Sequence, residues 1–261
     1  MLGTYWEQTD IMVITATRGE NTTIHRQQCP PATKTLAPDR EEPALICPLC
    51  HHTDTVFYHA DTRRPYHQCR QCALVFVPPA WHLAPDAEKA RYDLHNNDPD
   101  DPGYRRFLSQ LLVPVCTQVA RPARGLDFGC GPAPVLAALF TAAGYEMAIY
   151  DPFYAPDPTP LAETYDFVSA SEVAEHLYAP GAVFAQLLAL VRPGGWLAFM
   201  TGLVPGKDAF AHWHYTFDPT HVCFFSRETF AWWARTTGCA LRFPGRNVIL
   251  LRKPPHPSSP P

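Results

Sequence analysis

The stretch Gly125–Leu139, "GLDFGCGPAPVLAAL", decides how the rest of the chain is read. A short apolar run, a glycine turn and an alanine- and leucine-rich run predict a strand over 125–128, a loop, and a helix over 134–143. Loops of this shape hold nucleotide-like cofactors, and their glycines discriminate among them. A dinucleotide fold wants G-x-G-x-x-G/A, whose last small residue lets helix and strand pack closely. Here Gly129-Cys130-Gly131-Pro132-Ala133-Pro134 puts proline at that last position. Pro132 and Pro134 also remove two backbone N–H groups from a helix start that would otherwise cradle a pyrophosphate. A dinucleotide is therefore disfavoured. No Gly-Lys-Ser/Thr follows, which excludes a triphosphate-binding loop.

Working outward, strands are predicted at 146–151, 165–170 and 196–201, and helices at 181–191 and 227–237. Ser226 stands as N-cap of the last helix, with Glu228 in its first turn. "ALRF" and "NVILLRK" lie close enough to form a terminal antiparallel hairpin. Alternating strands and helices predict an α/β fold, a Rossmann-like, mostly parallel sheet with helices on both faces. Only 13 residues separate Asp151 from Tyr165, too few for a full crossover helix and strand.

A cofactor without phosphates suits such a loop. S-adenosylmethionine carries an amino-acid end, a ribose and an adenine, and needs close backbone approach more than a nest of N–H groups. Asp127, ending the first strand, can reach the ammonium. Asp151, ending "EMAIYD" 20 residues after Gly131, can accept both ribose hydroxyls. With these residues in place the chain resembles the class I S-adenosylmethionine-dependent methyltransferases, in the small-molecule branch typified by ubiquinone and menaquinone methylases. The likeness covers about residues 104 to 252. "LDFGCGPA" is similar to their first motif, with Ala133 in place of a third glycine; "IYDPF" resembles the ribose motif. "YDFVSASEVAEHL" resembles their fourth strand and the turn after it, and "LLALVRPGGWLAFMT" the entry to the fifth. The resemblance implies cofactor contacts from Asp127, Gly129, Cys130, Gly131, Ala133, Asp151, Pro152, Ser171 and Glu172.

Upstream, "CPLC" and "CRQC" give C-x2-C-x18-C-x2-C through Cys47, Cys50, Cys69 and Cys72. That spacing fits a four-thiolate structural Zn²⁺ site, two knuckles completing one tetrahedron. Two disulfides, or four unrelated buried cysteines, are the alternatives. The expected organisation is a disordered extension over 1–43, a zinc ribbon over 44–78, a helical connector over 79–124, the methyltransferase-like domain over 125–253, and a disordered tail over 254–261. In the connector, Asp101 is a candidate N-cap and Pro102 the first helical residue. Tyr104, Phe107, Leu108, Leu111 and Val115 fall on one face, and Pro114 should end or kink that helix.

Nine cysteines, an odd number, suit a compartment that keeps thiols reduced, and no run approaches the length of a membrane span; a cytoplasmic protein is expected. A net charge of -4 gives no general attraction to nucleic acid or anionic lipid. Only "TRRPYHQCRQC" offers a small basic, aromatic patch on which RNA or protein could dock. By resemblance, "SASE" after the fourth strand disfavours amino-methylation of adenine or glutamine, and the lack of a proline–cysteine pair there disfavours the cytosine C5 route. What remains is O-, C- or N-methylation of a small-molecule acceptor, ahead of a macromolecular acceptor or a non-catalytic interaction module. Methyl transfer needs a general base only where the acceptor must lose a proton. Histidines suit that work, and two places offer them: Glu172, Glu175 and His176 after the fourth strand, and "AHWHYTFDPTHVCFF" (211–225) after the fifth. His221 and His176 are the candidate catalytic residues, ahead of His212 and His214.

Overall fold

The computed structural model describes residues 45–94 and 97–255. The extension read at 1–43 lies outside the described residues, as does the tail beyond 255.

Near the N-terminus β1 (Thr55–Ala60), β2 (Pro65–Cys69) and β3 (Val75–Phe76) run antiparallel. Then come α1 (Pro85–Tyr92) and α2 (Pro102–Gln118). Asp101 caps α2 by accepting from the Gly103 N–H at 2.7 Å. Pro114 does not end this helix, which continues four residues beyond it. The carbonyl that loses its donor belongs to an exposed residue, Gln110, so the loss leaves no buried group unpaired.

From Arg124 the chain alternates: β4 (Arg124–Phe128), α3 (Val135–Ala142), β5 (Glu146–Tyr150), β6 (Tyr165–Ser171), α4 (Pro180–Leu190), β7 (Val191–Met200), α5 (Lys207–Phe210), β8 (Cys223–Phe224), α6 (Arg227–Thr237), β9 (Ala240–Arg242) and β10 (Val248–Arg252). The main sheet has the order β5-β4-β6-β7-β10-β9, with β5, β4, β6 and β7 parallel and the β9–β10 hairpin antiparallel. Strand periodicity distributes the core over both faces. Trp196, Ala198 and Met200 of β7 and Val248 and Leu250 of β10 pack under α2 and α3; Leu197, Phe199, Ile249 and Leu251 pack with Phe184 and Leu187 of α4 and Phe230 and Trp233 of α6. Ser226 and Thr229 form a reciprocal capping box at the start of α6. Between β5 and β6 there is one 3-10 turn, Thr159–Ala162, and no strand, so β5 forms the sheet edge.

The cysteine-bearing strands do not stand apart. β3 pairs with β8, Val75 opposite Phe224 and Phe76 opposite Cys223, so a second sheet runs β1-β2-β3-β8. The start of α4 lies against the first cysteine turn, where the Gly181 N–H donates to Pro48 O at 3.2 Å. A Cβ at Gly181 would stand 2.3 Å from Leu49 O, so only glycine permits this approach.

Candidate active site and cysteine cluster

The loop after β4 has the backbone its glycines allow: Gly129 at φ +73° and Gly131 at φ +66°, a left-handed region that costs side-chain-bearing residues dearly. The Gly129 N–H donates to Tyr150 O at 2.7 Å, while the Gly131 N–H donates to Asp151 Oδ2 at 3.0 Å. Asp151 Oδ1 accepts from the N–H groups of Phe153 (2.9 Å) and Tyr154 (3.1 Å). Its carboxylate therefore ties the glycine loop to the turn after β5. Asp127 is 3% exposed and accepts from Ser169 Oγ at 2.9 Å. Burial drives its carboxyl up from 3.8 to about 7. Burial and the nearby Asp127 and Asp151 charges push the Cys130 thiol up to about 12, so it stays neutral.

The loop residues fit S-adenosylmethionine. Ser171 Oγ, at the end of β6, is shielded from water and has no hydrogen-bond partner among the described residues, leaving a donor for a bound molecule. Ala133 is half-buried and packs beside the α2–α3 core, whereas Pro152 is exposed. Glu172, with φ +52°, is held by its own N–H to Met200 O at 2.7 Å. Burial, then Glu175, raises its carboxyl well above the usual range.

On the far side of Glu172 the structure brings together side chains from four segments. Glu175 is fully buried; Oε1 accepts from the Tyr215 hydroxyl and Oε2 from Thr201 Oγ1 at 2.9 Å. The Gly202 N–H in turn donates to Tyr215 Oη at 3.0 Å. His176 and His221 stand edge to face, 4.7 Å between ring centres. His221 Nδ1 lies 2.7 Å from Tyr215 O, and His176 Nδ1 lies 3.3 Å from Thr220 O. A carbonyl only accepts, so in each contact Nδ1 carries the hydrogen and Nε2 is the basic atom. His221 is buried and His176 half-buried. Burial, reinforced by His221, lowers His176 to about 4, so it is neutral at physiological pH. His212 and His214 are exposed.

Three further residues complete the site, and two of them, Tyr92 and Thr201, were not singled out in the sequence. Tyr92 of α1 meets the His176 ring edge-on at 5.2 Å and donates to Glu88 Oε1 at 2.7 Å. Thr201 and Tyr104 also join the site; burial and the charges of Asp127 and Glu172 push the Tyr104 phenol up to about 12. Tyr104 carried a helical-face signal, but nothing local marked Tyr92 or Thr201.

The four cysteines converge. Cys47 and Cys72 sulfurs are 3.5 Å apart, Cys50 and Cys69 3.4 Å, and all four lie within 4.8 Å of one another. A Zn–S tetrahedron has an edge of about 3.8 Å, from bonds of about 2.3 Å. The two knuckles share one backbone design. The His51 N–H donates to Cys47 O and the Ala73 N–H to Cys69 O, and both donors sit at φ +60°. All four thiols are free of disulfides. The donor set fits Zn²⁺ and leaves no open position for a substrate.

Comparison with known proteins places the chain in a family. A family model described as a methyltransferase domain matches residues 102–242, more than half of the chain. A ubiquinone biosynthesis O-methyltransferase of Burkholderia cenocepacia is 50% identical over 38 residues, 15% of this chain and 16% of that protein. Among solved structures, 1,6-didemethyltoxoflavin-N1-methyltransferase of Burkholderia thailandensis, with 1,6-didemethyltoxoflavin and S-adenosylhomocysteine bound, is similar at a TM-score of 0.48 and 17% identity, over 76% of this chain and 99% of that one. An S-adenosylmethionine-dependent methyltransferase of Archaeoglobus fulgidus follows at 0.43 and 16%, over 57% and 94%. Among the described residues no helix is long and apolar enough to cross a membrane. The chain belongs to the methyltransferase domain family.

Proposed function

We propose that the chain methylates a small-molecule acceptor at an oxygen, carbon or nitrogen that must lose a proton, with His176 and His221 handling that proton. The observation that carries this reading is the histidine pair itself, 4.7 Å apart beside buried Glu175, with both Nδ1 atoms turned to carbonyls. When bound, S-adenosylmethionine supplies an electrophilic methyl group. Asp127 would meet its ammonium, the Asp151 carboxylate its ribose hydroxyls, and Gly129 to Gly131 would supply backbone contacts, with Ser171, Glu172 and Pro152 beside them. Because Asp151 is already fixed by three backbone N–H groups, the ribose meets a carboxylate that need not reorganise.

Neutral His176 accepts the acceptor's proton at Nε2. Its lowered basicity keeps that atom unprotonated across the physiological range. Tyr215, Thr201 and Glu175 form a bonded frame behind the histidines and hold the ring positions. Zinc, held by Cys47, Cys50, Cys69 and Cys72, supplies a structural cross-link between the two knuckles. The deciding experiment screens hydroxylated, amino and carbon-acid small molecules for methyl transfer. It then compares the wild-type chain with H176Q and H221Q. Loss of transfer by about 10²-fold or more in both, with S-adenosylhomocysteine affinity within twofold, is the expected result. Full transfer in either variant would remove that histidine from the mechanism.

A further inference from the structure

Within the basic stretch Thr62–Cys72, one arginine turns inward while Arg63 and Arg70 stay exposed. Arg64 is 5% exposed. Its Nη1 donates to Pro219 O at 2.8 Å, its Nη2 to Asp218 O at 2.9 Å and Thr216 O at 3.2 Å, and its Nε to Tyr66 Oη at 3.1 Å. Arg63 donates through Nη1 to Phe217 O at 2.8 Å and through Nη2 to Thr216 O at 3.1 Å. Four consecutive carbonyls, Thr216 to Pro219, thus face two guanidinium groups. That segment joins Tyr215, whose hydroxyl meets Glu175, to His221, whose Nδ1 bonds Tyr215 O. Asp61 fixes the arginines in turn, accepting from their backbone N–H groups at 2.7 and 2.9 Å.

We infer that Arg64, seconded by Arg63, is a positioning residue for methyl transfer: it holds the 216–219 carbonyl run and so sets where His221 and Tyr215 stand. Arg64 immediately precedes β2, which ends at the knuckle residue Cys69. The other flank of the histidine segment is fixed too, because the Val222 N–H donates to Glu175 O at 2.8 Å and β8 pairs with β3. The cysteine ribbon is therefore one wall of the reaction site. A buried guanidinium suits the task because its donors are arranged in a rigid planar fork; a lysine ammonium offers three donors at one point and cannot span three carbonyls and a phenol. The inference rests on the reading of His176 and His221 as proton-handling groups.

The test uses the full zinc-loaded chain with S-adenosylhomocysteine bound and 15N-labelled histidine. Its readout is solvent exchange of the His221 Nδ1–H, assigned by its disappearance in H221Q. R64A and R64K should each speed that exchange tenfold or more and R63A less, while S-adenosylhomocysteine affinity stays within twofold and the zinc content is unchanged. Wild-type exchange in folded R64A overturns the inference. If R64A fails to fold, R64K and R63A decide, and wild-type exchange in both overturns it equally. Unimpaired methyl transfer by H221Q would instead sink the proton-handling reading, a failure visible in a different measurement from the exchange rate.

Discussion

Asp127 should make the protein trade stability for cofactor binding, and the trade can be read with one substitution, D127N. The wild-type carboxyl titrates in the folded state at about 7 against 3.8 for the free group, with burial as the first cause. A carboxyl whose folded value is raised binds more protons folded than unfolded. Its favourable share of stability is thus complete below 3.8 and is lost as pH climbs through about 7. Three units correspond to about 4 kcal/mol lost by pH 8, and at 3% exposure solvent does little to reduce it. D127N carries no charge, so its stability lacks this slope. It keeps a partner in Ser169, although one oxygen now serves where two did, at a cost of about 1 kcal/mol. Urea unfolding at pH 5, 6, 7 and 8 should show the variant's stability relative to wild type rising by up to about 1.4 kcal/mol per unit and levelling off above about 7, where the wild-type carboxyl is ionised in both states. Titration of both forms with S-adenosylhomocysteine at pH 8 should show D127N binding 10- to 100-fold more weakly, about 1.5–3 kcal/mol for a charged hydrogen bond. A stability gap constant to about 0.5 kcal/mol from pH 5 to 8 would refute the buried-carboxyl argument, because a slope of about 1.4 kcal/mol per unit could not hide within it.

Other outcomes follow from the same geometry. His176 should remain neutral down to about 4, so its contribution to stability is present above 6.5 and is lost as pH falls through 4; imidazole NMR titration showing a midpoint near 6.5 would contradict this. Metal analysis should find one zinc per chain and none in C69S, with that variant melting well below wild type; equal melting would mean the knuckles do not depend on metal. G129A should destabilise by about 2–4 kcal/mol, since a Cβ there would lie 2.4 Å from Val173 Cγ2 at φ +73°. V173A should recover the steric part but not the backbone part, and thermal or urea unfolding of the double variant measures the split.

Much of the sheet was legible because its signals are local. The glycine loop, the acids ending β4 and β5 and the Ser226 cap each occupy a few neighbouring residues, and the C-x2-C pairs need only their spacing. Of the two effects expected of Pro114, ending α2 did not occur, since the carbonyl that loses its donor belongs to an exposed residue, Gln110. The pairing of β3 with β8 left no trace, since two-residue strands have no periodicity to show. Arg64 was read by charge as part of a basic patch, and its partners, carbonyls more than 150 positions away, could not be seen from the local sequence. Tyr92 belongs with it: only the fold lays α1 against His176.

The β3–β8 pairing also bears on how the chain is made. A ribosome delivers Cys47 through Cys72 and strand β3 long before it delivers Cys223 and Phe224, which lie more than half the chain later. Until then the nascent ribbon presents an open strand edge and the apolar faces of Phe76 and Tyr66 with no cover from Phe224. Early capture of metal by the four thiols would hold the strands in register through that interval. Starved of zinc, translation would release chains whose N-terminal edge is free to pair with a neighbour's, so metal supply in the expression host should govern the soluble yield of this protein.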